Sequence, residues 1–268
     1  MAKNNKSLKA EKAIKARRKK KQRRRRRAVV LVVEVIMLLL LSGVAYAMMK
    51  FDKLQAVNID KKDLQLNEGV EEKEGYTTIA LFGGDSRDGQ LEEGTHADTI
   101  IVAAIDNKTK EIRLASIYRD TLLQQKNMSY NKANHAYFAG GPAESISMLN
   151  KNLDLDIQDY VTVDFKALVD TIDLLDGLDI DIKQEEVQYM NEFLQETADV
   201  AGTKAEFITE SGKQHLDGTQ AVTYARIRST AGGDYTRTER QRLVIEKIFE
   251  KVMHTDLATI NKIIDTVF

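Results

Sequence analysis

The stretch Ala28–Met49, AVVLVVEVIMLLLLSGVAYAMM, sets how much of this chain is free to fold as an independent body. It runs 22 residues with one interior charge, Glu34. That is the length an α-helix needs to cross the hydrocarbon core of a bilayer. Met1–Arg27, just before it, holds 15 Lys/Arg against one Glu and ends in RRKKKQRRRRR. Such a flank has too little apolar material to fold, and the positive-inside rule keeps it in the cytoplasm and sends the remainder out. The alternative is a cleaved signal peptide, with Ala45-Tyr-Ala47 as its cleavage site. The long basic lead and the long apolar run favour a retained anchor. Glu34 lies toward the cytoplasmic end, where snorkelling relieves its cost in lipid. The expected organisation is a cytoplasmic basic tail over 1–27, a single transmembrane helix over 28–49, an extracellular tether over 50–75 and one folded domain over 76–268. The last is held outside the cell membrane.

Charge divides the chain at the same place. The whole sequence carries −1, but setting Met1–Arg27 aside leaves 25 basic and 40 acidic residues, a net of −15. An acidic body of this kind is not a nucleic-acid binder. There is no cysteine, which excludes disulfides, thiolate nucleophiles and cysteine-ligated metal. The four histidines, His96, His135, His215 and His254, lack the spacing of a zinc site. No P-loop, Rossmann fingerprint, HExxH or GxSxG is present.

Short apolar runs predict strands over Tyr76–Phe82, Thr99–Ile105 and Ile112–Ile117, all three expected to be buried and central. Helical spacing predicts Pro142–Leu153 and Phe165–Leu175, with a strand over Tyr160–Phe165 between them. A further strand over Leu178–Ile182 precedes helices over Glu185–Thr197 and Asp256–Phe268. Asn131–Pro142, with its Gly-Gly-Pro, is expected to be a loop leading into the Pro142 helix, and its functional reading is a wall of the acceptor site. The pattern is an α/β fold: a mixed central β-sheet flanked by helices.

Polar groups gather where predicted strands begin and end. Gly84-Asp85-Ser86-Arg87 follows the first strand, His96-Ala97-Asp98-Thr99 opens the second, and Tyr118-Arg119-Asp120-Thr121 follows the third. In adjacent strands these would share one rim, where α/β folds hold ligands. Asp85 and Asp98 are candidate ligands for Mg²⁺, which takes one or two carboxylates together with water and phosphate oxygens. Arg87 and Arg119 add phosphate-type donors.

The third group lies farther on. Arg226, Arg228, Arg237, Arg240 and Arg242 fall within seventeen residues that contain no lysine, although the surrounding body is acidic. Arginine's planar fork matches anionic oxygens two at a time. If Tyr224–Arg228 is extended, Arg226 and Arg228 point the same way; if Thr219–Arg226 is a helix, Arg228 falls beyond its end. Thr236-Arg-Thr-Glu239 has the form of a capping box, with a helix continuing through Arg240–Val252. Arg237, Arg240 and Gln241 would then share a face of its first turns, near amides open to an anion.

Taken together, these stretches resemble the LytR-CpsA-Psr family of cell-wall glycopolymer ligases. The resemblance rests on GGDSR at Gly83–Arg87, ADT at Ala97–Thr99, SIYRDT at Ser116–Thr121 and NKANHAYFAGGP at Asn131–Pro142. It extends through DYVTVDF at Asp159–Phe165, DLLDGLDIDI at Asp173–Ile182, LDGTQAVTYARIR at Leu216–Arg228 and GDYTRTERQR at Gly233–Arg242. The resemblance implies a transferase that moves a glycopolymer from an undecaprenyl-pyrophosphate donor onto a peptidoglycan acceptor, with the lipid tail in an apolar tunnel between sheet and helices. By the same resemblance, Asp85 and Asp98 would hold Mg²⁺ (or Mn²⁺). Arg87, Arg119, Arg226, Arg228, Arg237, Arg240 and Gln241 would surround the pyrophosphate. Asp120 and Asp234 would orient arginines or assist proton transfer beside Arg119. Tyr118 stands where the family commonly has proline. A non-catalytic membrane scaffold for lipid-linked precursors and a polyprenyl-pyrophosphate pyrophosphatase are the alternatives.

Overall fold

A computed structural model describes residues 37–38, 41–43, 45–46, 48–50, 64–70, 75–84, 91 and 94–267. The chain divides into two compact units, Met1–Gln55 and Ala56–Phe268. In the first, every described position is helical. Among the described residues no helix is long and apolar enough to cross a membrane. The basic tail and most of the 28–49 span lie outside the described residues, as do Asp85 and Arg87.

The second unit runs β1 (Tyr76–Gly84), β2 (Ala97–Asp106), β3 (Ile112–Ser116), β4 (Leu122–Gln124), β5 (Tyr130–Lys132), α1 (Ala133–Leu153) and β6 (Asp159–Val163). It continues through α2 (Phe165–Leu174), β7 (Leu178–Ile182), α3 (Gln184–Ala201), β8 (Gly212–Leu216), α4 (Gly218–Arg226), α5 (Asp234–His254) and α6 (Leu257–Val267). The main sheet has the order β3-β2-β1-β6, and only β1 and β6 pair in parallel. Two antiparallel pairs, β4–β5 and β7–β8, stand apart from it. The expected mixed sheet flanked by helices is what forms.

Side chains alternate across a pleated strand, and the sheet uses both faces. Ala80 and Phe82 of β1, with Ile100 and Val102 of β2, pack against Ala136, Tyr137, Ile146 and Leu149 of α1. The intervening Leu81 and Ile101 point the other way and line a cavity. Beyond that cavity lies a second core, in which Val169 and Ile172 of α2 meet Leu178 and Ile180 of β7, Met190 of α3, Val222 of α4 and Val244 of α5.

Two contacts fix α4 in place. Its N-cap Asp217 accepts from Gln220 N at 2.8 Å, and Gln220 Oε1 in turn accepts from Asp217 N at 3.0 Å. Gly218 then lies so close to α2 that an added Cβ would sit 2.3 Å from the Val169 carbonyl oxygen. Only glycine allows that approach, and it carries the far end of α4 toward the rim of the main sheet.

Several expectations change. Ile112–Ser116 is an edge strand with alternating burial, not a buried central one, because among the described residues no strand pairs beyond it. Asn131–Pro142 is not a loop: α1 begins at Ala133, and the glycines only break it. Gly141, at φ 63° and ψ −154°, takes a conformation reserved for glycine, and Pro142 restarts the helix. The Thr236 capping box does not form. α5 starts at Asp234, and the Thr236 hydroxyl, already inside the first turn, donates to Gly233 O at 3.0 Å. β4, β5 and β8 are too short, at three to five residues, to show a strand period or an extended apolar run in sequence.

Candidate functional site

The sheet register brings the chemistry together. Gly83 pairs with Thr99 and Gly84 with Ala97, across a register shift, so β1 ends where β2 begins. Ser116, the last residue of β3, pairs with Ile101 at the same rim. The two glycines keep this crossing close: an added Cβ on Gly83 would meet Thr99 Cβ at 3.0 Å, and one on Gly84 would meet the Leu91 side chain at 3.0 Å. Arg119, three residues past β3, reaches Asp98, with Nη1 2.6 Å from Oδ1.

Arg228 arrives from the opposite side. α4 ends at Arg226, and Ile227 takes an extended ψ of 123°, which redirects the chain. Arg228 Nη2 donates to Asp98 Oδ2 at 3.1 Å. One carboxylate therefore joins two arginines from elements more than a hundred residues apart in sequence. Burial works against the charge on Arg119, but Asp98, then Asp120 and Asp234, more than offset it, and its pKa rises.

Arg237 sits in the first turn of α5 and is only 3% exposed. Its Nη2 lies 2.7 Å from Asp234 Oδ1, whereas its Nε is buried without a hydrogen-bond partner. Burial first, and the neighbouring Arg228 next, push its pKa below the ordinary arginine value. A guanidinium remains charged even so. A buried donor left unpaired is unfavourable by about 1–3 kcal/mol, so its persistence marks a place prepared for an acceptor. One turn on, Gln241 Oε1 is also buried and unpaired.

The other candidates are placed as follows. Arg226 donates to Thr197 Oγ1 at 2.7 Å and Glu196 Oε1 at 3.2 Å, and lies over the Phe165 ring at 4.5 Å. It lines the cavity with partners different from those of Arg228, and the chain is helical from Gly218 to Arg226, which decides between helix and strand in favour of helix. Arg240 does not line the cavity. Its Nε donates to Glu186 Oε1 at 2.8 Å, Nη1 to Ile227 O at 3.1 Å and Nη2 to Thr230 Oγ1 at 2.6 Å. It ties α5 to α3 and to the end of α4. Arg242 donates to Ser116 Oγ at 3.0 Å. Asp120 pairs with Lys132 at 2.6 Å and with Arg119 Nε at 3.6 Å. The Lys132 hydrogen bond, opposed by partial burial and helped by Arg119, holds its carboxyl below the usual range. Lys132, Glu186 and Thr197 escaped the sequence reading because each acts through a partner distant in the chain.

The cavity encloses about 290 Å³ between sheet and helices. Gly83, Gly84, Asp98, Arg228, Arg237 and Gln241 make its polar end, and Leu81, Ile101, Leu168, Phe193, Val222 and Val244 its apolar interior. This shape suits an amphiphile with an anionic head. Among the described residues no group of three or more acidic or histidine side chains could hold a metal ion. Asp98 offers a carboxylate whose two oxygens each meet an arginine. That donor set fits Mg²⁺ only if ligand oxygens and Asp85, the residue after Gly84, complete it.

A polyisoprenyl-teichoic acid–peptidoglycan teichoic acid transferase TagV of Bacillus subtilis (strain 168) is 30% identical over 79% of this chain and 53% of its own length. A TagU of the same description from Enterococcus faecalis is 32% identical over 72% of this chain and 58% of its own length. The chain thus spans about half the length of these curated relatives. The crystal structure of B. subtilis TagV, 28% identical, superposes with a TM-score of 0.53 over 72% of this chain and 71% of that one. A TagT structure with bound octaprenyl pyrophosphate lipid, 20% identical, shares the fold with a TM-score of 0.59 over 79% and 82% of the two chains. Residues 42–268 match the LytR_cpsA_psr family throughout, and the chain belongs to that family.

Proposed function

We propose that this protein transfers a glycopolymer from a polyprenyl-pyrophosphate carrier, undecaprenyl pyrophosphate, onto peptidoglycan. The linkage formed is a phosphodiester to the 6-hydroxyl of N-acetylmuramic acid. One observation carries the reading: the unpaired, buried Nε of Arg237 beside Arg228, at the polar end of an apolar cavity. The names of the TagV and TagU relatives support the reaction class. The lipid in the TagT structure supports the kind of donor. The 28–49 span would anchor the protein as a single-pass membrane protein, with the body on the outer face beside both substrates.

In this reading the prenyl chain enters the cavity and the pyrophosphate rests among Arg228, Arg237 and Gln241, with Arg119 across Asp98. The acceptor hydroxyl oxygen attacks the glycan-side phosphorus. The bond from that phosphorus to the bridging oxygen breaks, polyprenyl monophosphate leaves, and the hydroxyl proton passes to solvent. Such transfers depend on positioning and on neutralising charge over the phosphoryl oxygens. Arg228 and Arg237 supply that neutralisation from fixed positions. Asp98 and Asp234 hold those arginines, and Asp120 steadies Arg119. With its carboxyl held below the usual range, Asp120 is a poor base. Mg²⁺, held by Asp98 with Asp85, would neutralise further charge on the pyrophosphate.

The test supplies the full-length protein with lipid-pyrophosphate-linked glycan, peptidoglycan and Mg²⁺. A phosphodiester-linked product is expected, with EDTA reducing its rate at least about tenfold. Release of free glycan phosphate without linkage would instead identify a pyrophosphatase. Donor binding with no product would identify a scaffold.

A further inference from the structure

Beside the polar rim, and outside the cavity, three rings are stacked. His96 and Phe138 lie 4.7 Å apart with planes 13° from parallel, and His135 and Phe138 lie 6.0 Å apart at 26°. Phe138 is 42% exposed, and His96 is exposed too. An isolated surface phenylalanine needs no explanation. This one is held firmly. Its neighbour Tyr137 is fully buried and donates to Leu91 O at 2.6 Å, and Gly94 N donates to Phe138 O at 2.9 Å. The backbone breaks at Gly140 and Gly141, two residues later.

The stack is tied directly to the site. His96 is two residues before Asp98, about 7 Å along an extended chain. His135 follows Asn134, whose N–H donates to Arg119 O at 3.0 Å. Asp98 Oδ2 accepts from Arg228, which lines the cavity, and its Oδ1 accepts from Arg119, which does not. If a lipid pyrophosphate fills the cavity, the leaving lipid phosphate lies inward, and an in-line attacker must arrive from the outer side. Arg119, outside the cavity lining, links that side to the stack through its hydrogen bond with Asn134, next to His135.

We infer that His96, Phe138 and His135 form a subsite for the acceptor glycan strand, an N-acetylated amino-sugar polymer, and position its hydroxyl for attack. The apolar C–H face of a pyranose lies flat on an aromatic plane, while imidazole nitrogens offer hydrogen bonds to its hydroxyl and acetamido groups. The exposed faces and edges of Phe138 and His96 suit a sugar, with its C–H face and hydroxyls, better than they suit a prenyl chain, which the proposed reading places in the cavity. This assignment rests on the transfer reaction proposed above.

The protein has no tryptophan, so Phe138→Trp installs a single fluorescent reporter in the stack. Titration of that full-length variant with an N-acetylglucosamine–N-acetylmuramic acid tetrasaccharide should give a saturable emission change, lost on adding His96→Ala. In transfer, Phe138→Ala should raise the acceptor KM about tenfold and leave the donor KM within about twofold, with Phe138→Tyr restoring it. No saturable change at millimolar tetrasaccharide, or a donor KM that rises as much as the acceptor KM, overturns the subsite. The fluorescence experiment needs no turnover. Its failure with transfer intact condemns the subsite alone, whereas sugar binding without transfer condemns the reaction instead.

Discussion

Replacing Arg237 with alanine is expected to lower transfer about 1,000-fold, the effect of removing one fixed donor from a developing charge, without lowering the melting temperature. The two halves of that result come from the same geometry. In the free protein the Arg237 guanidinium is buried beside Arg228, with its Nε unpaired. Its removal relieves a buried donor and a like-charge contact, and leaves Asp234 39% exposed, where water can serve it. Stability given up at a ligand site is a common cost of function. With donor bound, the same nitrogen would gain its acceptor. The measurements are transfer rate and thermal melting on one preparation. Loss of activity together with a melting temperature lowered by about 10 °C would instead assign Arg237 a structural task.

Arg240→Ala is expected to have the opposite signature, destabilising the fold by about 3–5 kcal/mol, or on the order of 10 °C in melting temperature. Arg240 and Glu186 are both nearly inaccessible, and their contact at 2.8 Å joins α5 to α3. Removing the guanidinium leaves Glu186 as a buried carboxylate, and also frees Ile227 O and Thr230 Oγ1. The surroundings show how dry this region is: burial first, and Glu186 second, push the Tyr224 hydroxyl up to about 12. The double replacement Arg240→Met with Glu186→Leu should recover much of the loss, because no buried charge then stands alone. A melting temperature unchanged in Arg240→Ala would contradict this account of the pair.

The contrast between Arg237 and Arg240 shows where sequence reasoning stopped. Spacing placed Arg237, Arg240 and Gln241 on one face. On a helix of 3.6 residues per turn, however, Arg240 is turned about 60° to one side of Arg237 and Gln241 about 40° to the other. That difference sends Gln241 into the cavity and Arg240 to Glu186, 54 residues earlier in the chain. Nothing local to either residue announces the pairing. The convergence of Asp98 and Arg119 was legible, because short apolar runs located the strand ends and antiparallel pairing placed those ends together. The stretch 131–142 misled because Gly-Gly-Pro marks a loop more often than a break within a helix. The cavity interior was also hidden: strand alternation shows which residues oppose one another, but not that the sheet and α2–α5 stand apart enough to leave a space between them.

The central claim is that this space holds the prenyl chain with its pyrophosphate at the arginines. A crystal structure of the protein with a polyprenyl pyrophosphate tests it most directly. The account predicts density for the chain between Leu81 and Ile101 on one side and Val222 and Val244 on the other, with phosphate oxygens within hydrogen-bonding distance of Arg237 Nε and Arg228. Lipid bound elsewhere, with Arg237 Nε still unpaired and buried, would contradict it.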